Sequence, residues 1–178
     1  MPDIDNQRIS GYFAHGDGTK DPFEKGRALE NLIAYLFELI PGMFVTARNT
    51  MDVGGAQEID IAFWNEGHPE GLRLFDYVLL VECKNWSEPV GHAELAVFSD
   101  KLRSRGRPQG ILVAANGITG DPALLSRAHR QLSRALEEGR EILVLTRAEI
   151  EALEDTEQLV VLLKRKRALL AVSGTSIQ

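Results

Sequence analysis

The alternation of apolar periodicities along the 178-residue chain predicts an α/β fold, a mixed central sheet flanked by helices in the order α-β-β-β-α-β-α-β-α-α. Three observations predict it. A helical apolar stripe is followed by three strand-like segments separated by loops. The third of these, Tyr77 to Lys84, is a nearly unbroken apolar run, as expected of a central strand covered on both faces. Beyond it, helical and strand patterns alternate, which calls for a β-α-β crossover and hence a parallel pair in the same sheet. No internal repeat, low-complexity tract or interdomain linker interrupts the pattern.

Residues 1–20 mix polar residues and glycines without sustained periodicity and read as a loosely ordered arm. Asp21 is an N-cap with Pro22 at the first helical position, and Pro41-Gly42 stops the helix after about Leu39. Ala28, Leu29, Leu32, Ile33, Leu36, Phe37 and Ile40 recur at helical spacing and form its buried face. Glu30 lies beside that stripe, so the pattern leaves it either solvated or inward. Met43 to Asn49 reads as a first strand, Asp52-Val53-Gly54-Gly55 as a turn, and Glu58 to Trp64 as a second strand. After Tyr77 to Lys84 comes a helix from about His92 to Arg105 with Leu95, Phe98 and Leu102 inward. A strand over Gly110 to Ala115, a helix from Pro122 to about Glu138 and a strand over Glu141 to Leu145 follow. Helical patterns over 147–153 and 156–170 complete the chain. The division expected is an arm (1–20), a core domain (21–155), and a C-terminal helix with tail (156–178). The apolar positions Leu159, Val160, Leu162, Leu163, Leu169 and Leu170 exceed what that core needs, making the last helix the expected interface of a homodimer.

Composition is that of an ordinary soluble globular chain, 44% hydrophobic and 26% charged. No apolar run reaches membrane-spanning length, and the first residues lack a signal peptide's basic start and apolar centre, so an intracellular, cytoplasmic protein without a membrane partner is expected. A lone cysteine, Cys83, excludes an internal disulfide and a multi-cysteine zinc site, and the four histidines form no metal-binding motif. Any metal must then be held by carboxylates, which favours Mg²⁺ or Mn²⁺. The net charge of −6 argues against indiscriminate nucleic-acid binding, but it is uneven. Residues 71–178 carry 15 bases against 14 acids, with Lys101, Arg103, Arg105 and Arg107 as the cluster expected nearest DNA.

The chemistry-bearing residues lie in two strands. Glu58 and Asp60 share one face of the second strand, and Glu82 and Lys84 share one face of the third, opposite Val81 and Cys83. Charges in an apolar sheet are costly unless paired or holding a cation, which marks them as functional. Asp60 and Glu82 suit a divalent ion, with the Cys83 backbone carbonyl as a third oxygen, and Lys84 reaches an attacking water. That set meets the demands of phosphodiester hydrolysis. A lone Glu-x-Lys is most often a surface ion pair; the conjunction of Asp60, Glu82 and Lys84 in apolar strands is harder to explain that way. Glu58 reads as a strand-start residue, Asn85 and His92 as turn and helix-start residues, and Trp64 and Trp86 as packing residues.

Asp60 with Glu82-Cys83-Lys84 in an αβββαβ core resembles the PD-(D/E)XK nuclease superfamily, and further stretches resemble its Mrr-type restriction endonuclease branch. These are Gly26-Arg27-Ala28-Leu29-Glu30, Gly54-Gly55 before Ile59-Asp60-Ile61, Gly110-Ile111-Leu112-Val113 with Asn116-Gly117-Ile118-Thr119, and Glu141-Ile142-Leu143-Val144-Leu145. Many Mrr-type members carry Gln where Glu82 stands, and Glu82 to Trp86 is also similar to nuclease-related (NERD) domains. The resemblance implies a restriction-endonuclease-like fold and an endodeoxyribonuclease dependent on Mg²⁺ or Mn²⁺, acting on DNA in restriction, defence or repair. It implies Asp60, Glu82, Lys84 and Glu30 as catalytic residues, Glu30 holding the metal directly or through a water. The rival expectation is a catalytically weak domain of the same fold that binds DNA or a protein partner. The small size and acidic charge fit delivery to DNA by a larger targeting protein.

Overall fold

The structure, a computed structural model, describes every residue except Met1, Val53, Ala56, Leu125 and Gln178. Its elements are α1 (Asn6–Gly18), α2 (Pro22–Glu38), β1 (Met43–Met51), β2 (Glu58–Asn65), β3 (Val78–Lys84), α3 (His92–Ser104), β4 (Gln109–Ala114), α4 (Ala128–Glu137), β5 (Glu141–Leu145), α5 (Arg147–Glu151) and α6 (Thr156–Ser173). The strands form one sheet in the order β1-β2-β3-β4-β5, antiparallel from β1 to β3 and parallel from β3 to β5. This is the mixed sheet flanked by helices that the sequence predicts.

The two faces of the sheet are covered by different helices. Phe37 of α2 stacks on Phe63 of β2 at 5.1 Å between ring centroids, so the residues of β3 level with Phe63, namely Leu79 and by alternation Val81 and Cys83, face α2. On the other face α3 lies against β4. A Cβ at Gly110 would stand 2.7 Å from the Phe98 ring and under 3 Å from Leu102, so only a glycine lets α3 pack this close. Leu80 is in register with Gly110 and Glu82 with Leu112, which places Leu80, Glu82 and Lys84 on the α3 face. Period-two alternation thus sends the charged residues of β3 to one layer and its apolar residues to the other.

The N-terminal segment differs from expectation. Residues 6–18 form a helix instead of a loose arm, capped by Asp5, whose carboxylate accepts the Gln7 and Arg8 N–H groups. Ile9, Phe13 and Gly16, spaced by four and three residues, are its buried face, and Ile4 joins the core just before it. Three glycines and polar outer positions dilute that stripe. Arg147 closes the contact, 4.3 Å over the Phe13 ring and 2.8 Å from Asp17. Phe13→Ala is accordingly expected to lower the unfolding free energy by about 3–5 kcal/mol in chemical denaturation, where an unpacked arm would give no change.

Helix α4 begins at Ala128, six residues later than the periodicity suggests. Before it, the Asp121 carboxylate takes the Ala123 N–H, Ser126 Oγ takes the Asp121 N–H, and Arg127 adopts a positive φ of 50°, so local side-chain bonds outcompete helix. Leu125, within the expected helix, lies outside the described residues. The expected turn at 52–55 is supported by a Gly55 N–H to Asp52 carbonyl bond of 2.9 Å, with Val53 outside the described residues.

Helix α6 packs on its own domain. Leu159, Val160, Leu163 and Leu170 are buried, while Leu162 and Leu169 are half-buried. Most of the apolar surplus expected to form an interface is thus consumed by the core. Among the described residues, no helix is long and apolar enough to cross a membrane.

Candidate active site

The ladder between β2 and β3 runs from Trp64–Val78 to Ile61–Val81 and stops there. Continuing that register would bring Asp60 level with Glu82. The strands part instead, and Asp60 Oδ2 accepts the Cys83 N–H at 2.7 Å, a side chain standing in for the lost ladder bond. Ala62 is in register with Leu80, so Asp60 points to the same face as Glu82 and Lys84. The fork therefore gathers two carboxylates and an amine on the α3 side of the sheet. Among the described residues, the other Asp60 oxygen has no protein hydrogen-bond partner.

Electrostatics reflect that crowding. Burial, then the charge of Glu82, push the Asp60 carboxyl up to about 6, against the lowering effects of the Cys83 N–H and Lys84; the charge of Glu30 adds a small further rise. For Lys84, burial works against the charged form but is outweighed by the charge and hydrogen bond of Glu82, with Asp60 assisting, so its pKa is raised. Lys84 is an ammonium at neutral pH, a donor and not a base. Burial and the neighbouring charge of Asp60 push the Cys83 thiol well up, which leaves it inert packing.

Glu82 is 4% exposed and held by two lysines. Lys84 Nζ lies 2.9 Å from Oε1, and Lys101 Nζ donates to both oxygens at 2.8 Å. Lys101 was expected on a DNA-facing surface; it is instead buried, 8% exposed, reaching from α3 into the fork. The rest of the expected basic cluster is dispersed too. Arg105 Nη2 donates to the Gln57 carbonyl at 2.7 Å, Arg107 pairs with Asp76, and only Arg103 projects outward, paired with Asp100. Residues two apart on a helix point about 200° apart, so Lys101 and Arg103 cannot share one face of α3, and Arg105 and Arg107 lie beyond its last residue, Ser104.

Glu30 belongs to the other layer, on α2. It is buried on α2, 7% exposed, and its Oε2 accepts from Asn49 Nδ2 at 3.1 Å and lies 3.5 Å from Arg48 Nη2. Asn49 has φ 49°, a left-handed conformation that Asn tolerates better than most residues. The charge of Glu30 is felt at Asp60, but among the described residues no three His, Cys, Asp or Glu side chains come together in a group able to hold a metal ion. Glu58 is exposed at the start of β2, and His92 is exposed at the start of α3. Asn85 is buried and donates to the Lys25 carbonyl at 3.0 Å, tying the end of β3 to α2. The tryptophans are not core residues. Trp64 is 38% exposed against Tyr77, and Trp86 is 44% exposed with Lys84 Nζ 5.6 Å from its ring, an aromatic surface beside the fork.

The donors around the fork are hard carboxylate oxygens, and the Asp60 carboxyl, raised by burial and then by the charge of Glu82, suits a divalent cation such as Mg²⁺. For Glu82 to join it, the carboxylate must give up part of its contact with Lys101. The sequence pattern put Lys101 among the DNA-facing bases and missed its pairing with Glu82, and it did not single out Arg48 or Asn49. For Lys101 a signal existed: it stands three residues after the inward Phe98 and one before the inward Leu102.

In comparison with known protein families, residues 24–153, well over half of the chain, match a family described as restriction endonuclease, of Mrr type. A comparison with curated proteins returned no match.

Proposed function

Since the chain belongs to the Mrr-type restriction endonuclease family and is thereby a nuclease domain, we propose that it hydrolyses phosphodiester bonds in DNA as an endonuclease dependent on Mg²⁺ or Mn²⁺, in restriction, defence or repair. The observation that carries the reading is the placement of Asp60, Glu82 and Lys84 on one face of the β2–β3 fork, Glu82 buried and the other two half-buried, beside the exposed Trp86. Asp60 and Glu82 would hold the ion, with the Cys83 carbonyl at the same strand end and Glu30 acting from α2 through a water. Bound there, a divalent cation supplies charge stabilisation to the scissile phosphate and a lowered pKa to water.

The chain's own groups do the rest. Lys84, held as an ammonium, orients the attacking water and stabilises the negative charge that grows as that water loses its proton. Asp60 and Glu82 keep Lys84 charged and aimed at the fork. Purified full-length protein incubated with supercoiled plasmid is expected to produce nicked or linear DNA with Mg²⁺ and none with excess chelator. Intact plasmid under both conditions would overturn the reading.

One observation favours a second reading. Lys101 already balances Glu82, so the fork is stable as it stands, which suits a catalytically weak domain that binds DNA or a protein partner. The plasmid experiment separates the two. We further propose that cutting both strands takes a homodimer, because one cluster breaks one phosphodiester at a time. The strip left to it on α6 is Leu162, Leu169 and the exposed Val172. Sedimentation at micromolar concentration, with and without DNA, is expected to show the dimer; a chain that stays monomeric on DNA and still makes double-strand breaks refutes it.

A further inference from the structure

A carboxylate offers two oxygens and roughly four lone-pair sites. In Glu82, Oε1 accepts from both Lys84 and Lys101, and Oε2 accepts from Lys101. The Lys101 side chain is 10% exposed and that of Glu82 6%, so the pair lies in the interior, where screening by water and salt is weak. Any cation that takes a Glu82 oxygen must displace Lys101 or sit against its ammonium. Lys101 is also anchored independently of Glu82, because its helix is clamped to β4 at Gly110 by Phe98 and Leu102. The ammonium is thus presented to the carboxylate by the packing of α3.

We propose that Lys101 is an internal counter-cation, a positioning residue that neutralises Glu82 when no ion is bound and competes with the divalent ion for it, so that the chain itself sets the affinity of the fork for metal. The inference rests on the metal-dependent reading above. Its physical logic is that a buried carboxylate held by Lys84 alone would be under-compensated, so the fold retains a second ammonium, and metal binding must overcome that partner. Displaced, the ammonium of Lys101 remains beside the fork, placed to face the negative charge of a phosphate.

The test replaces Lys101 with methionine, which is uncharged and of similar length. In isothermal titration of the full chain with Mn²⁺, Lys101→Met is expected to bind about tenfold or more tightly than wild type. Its melting temperature without ion should fall below wild type, and saturating Mn²⁺ should raise it by more than it raises wild type. Arg134→Met, which removes an exposed cation from α4, should leave the Mn²⁺ affinity at the wild-type value and so exclude a general effect of net charge. Should Lys101→Met not fold, Lys101→Gln, which retains one hydrogen-bond donor toward Glu82, is expected to show the same tightening. Variants that melt lower but bind Mn²⁺ no more tightly than wild type would make Lys101 a structural pillar and overturn the inference while leaving the nuclease reading intact. If neither wild type nor variant binds Mn²⁺, both fall together.

Discussion

Lys84→Ala is expected to reduce Mg²⁺-dependent cleavage of plasmid DNA by about 10³-fold or more, with a circular dichroism spectrum close to that of wild type. The magnitude is that of removing one preorganised charged donor from a reaction that builds negative charge. The fold should survive because Glu82 keeps Lys101, whose Nζ donates to both of its oxygens. Lys84 is half-buried with its ammonium 2.9 Å from Glu82, and the raised pKa rules it out as a proton acceptor at neutral pH. Consistent with that role, Lys84→Arg should restore a small fraction of activity and Lys84→Gln almost none. An alanine variant that cleaves at the wild-type rate would remove Lys84 from the mechanism.

Asp60→Asn is expected to abolish cleavage and at the same time to stabilise the protein in the absence of divalent ion. A carboxyl whose folded pKa is raised to about 6 favours the native state while protonated, below its ordinary value near 3.8. That contribution is lost as the pH rises through about 6 and the half-buried carboxylate ionises beside Glu82. Asparagine stays neutral and retains an oxygen for the Cys83 N–H. Without divalent ion, wild type should therefore lose stability between about pH 4 and pH 7 relative to Asp60→Asn, by an amount on the order of 2 kcal/mol after discounting for partial exposure. Added Mg²⁺ should narrow the gap by stabilising wild type alone. Thermal melts at pH 4.5 and 7.5, with and without Mg²⁺, read this out; equal pH slopes in the two proteins would show that Asp60 is not under electrostatic load.

Activity lost together with stability gained is the mark of a residue kept for function against the preference of the fold. Cys83, one residue from Glu82, is the contrast. It points to the α2 face, is buried among apolar side chains, and serves packing.

The site was legible to the extent that its chemistry follows from local periodicity. Alternation along β2 and β3 assigns Asp60, Glu82 and Lys84 to one face whatever the rest of the chain does, because successive strand side chains point to opposite sides. The order of strand and helix patterns predicts the sheet, since short loops and a β-α-β crossover leave few ways to arrange it. Two kinds of information were absent. In α1, glycines thin the apolar stripe, and only the contacts of Ile9 and Phe13 with the core reveal a packed helix.

In α3 the basic residues are visible in sequence, but their destinations depend on which side of the helix meets the sheet. Gly110 decides that by admitting Phe98 and Leu102, and the consequence is that Lys101 turns inward to Glu82 while Arg103 stays outside. Repeats of two to four residues along the chain thus predict the succession of elements, the mixed sheet, and the shared face of Asp60, Glu82 and Lys84. Only the tertiary structure decided that a second lysine, nineteen residues from Glu82, shares its charge, because a helix's rotation about its own axis is set by the partner it packs against and not by its own residues.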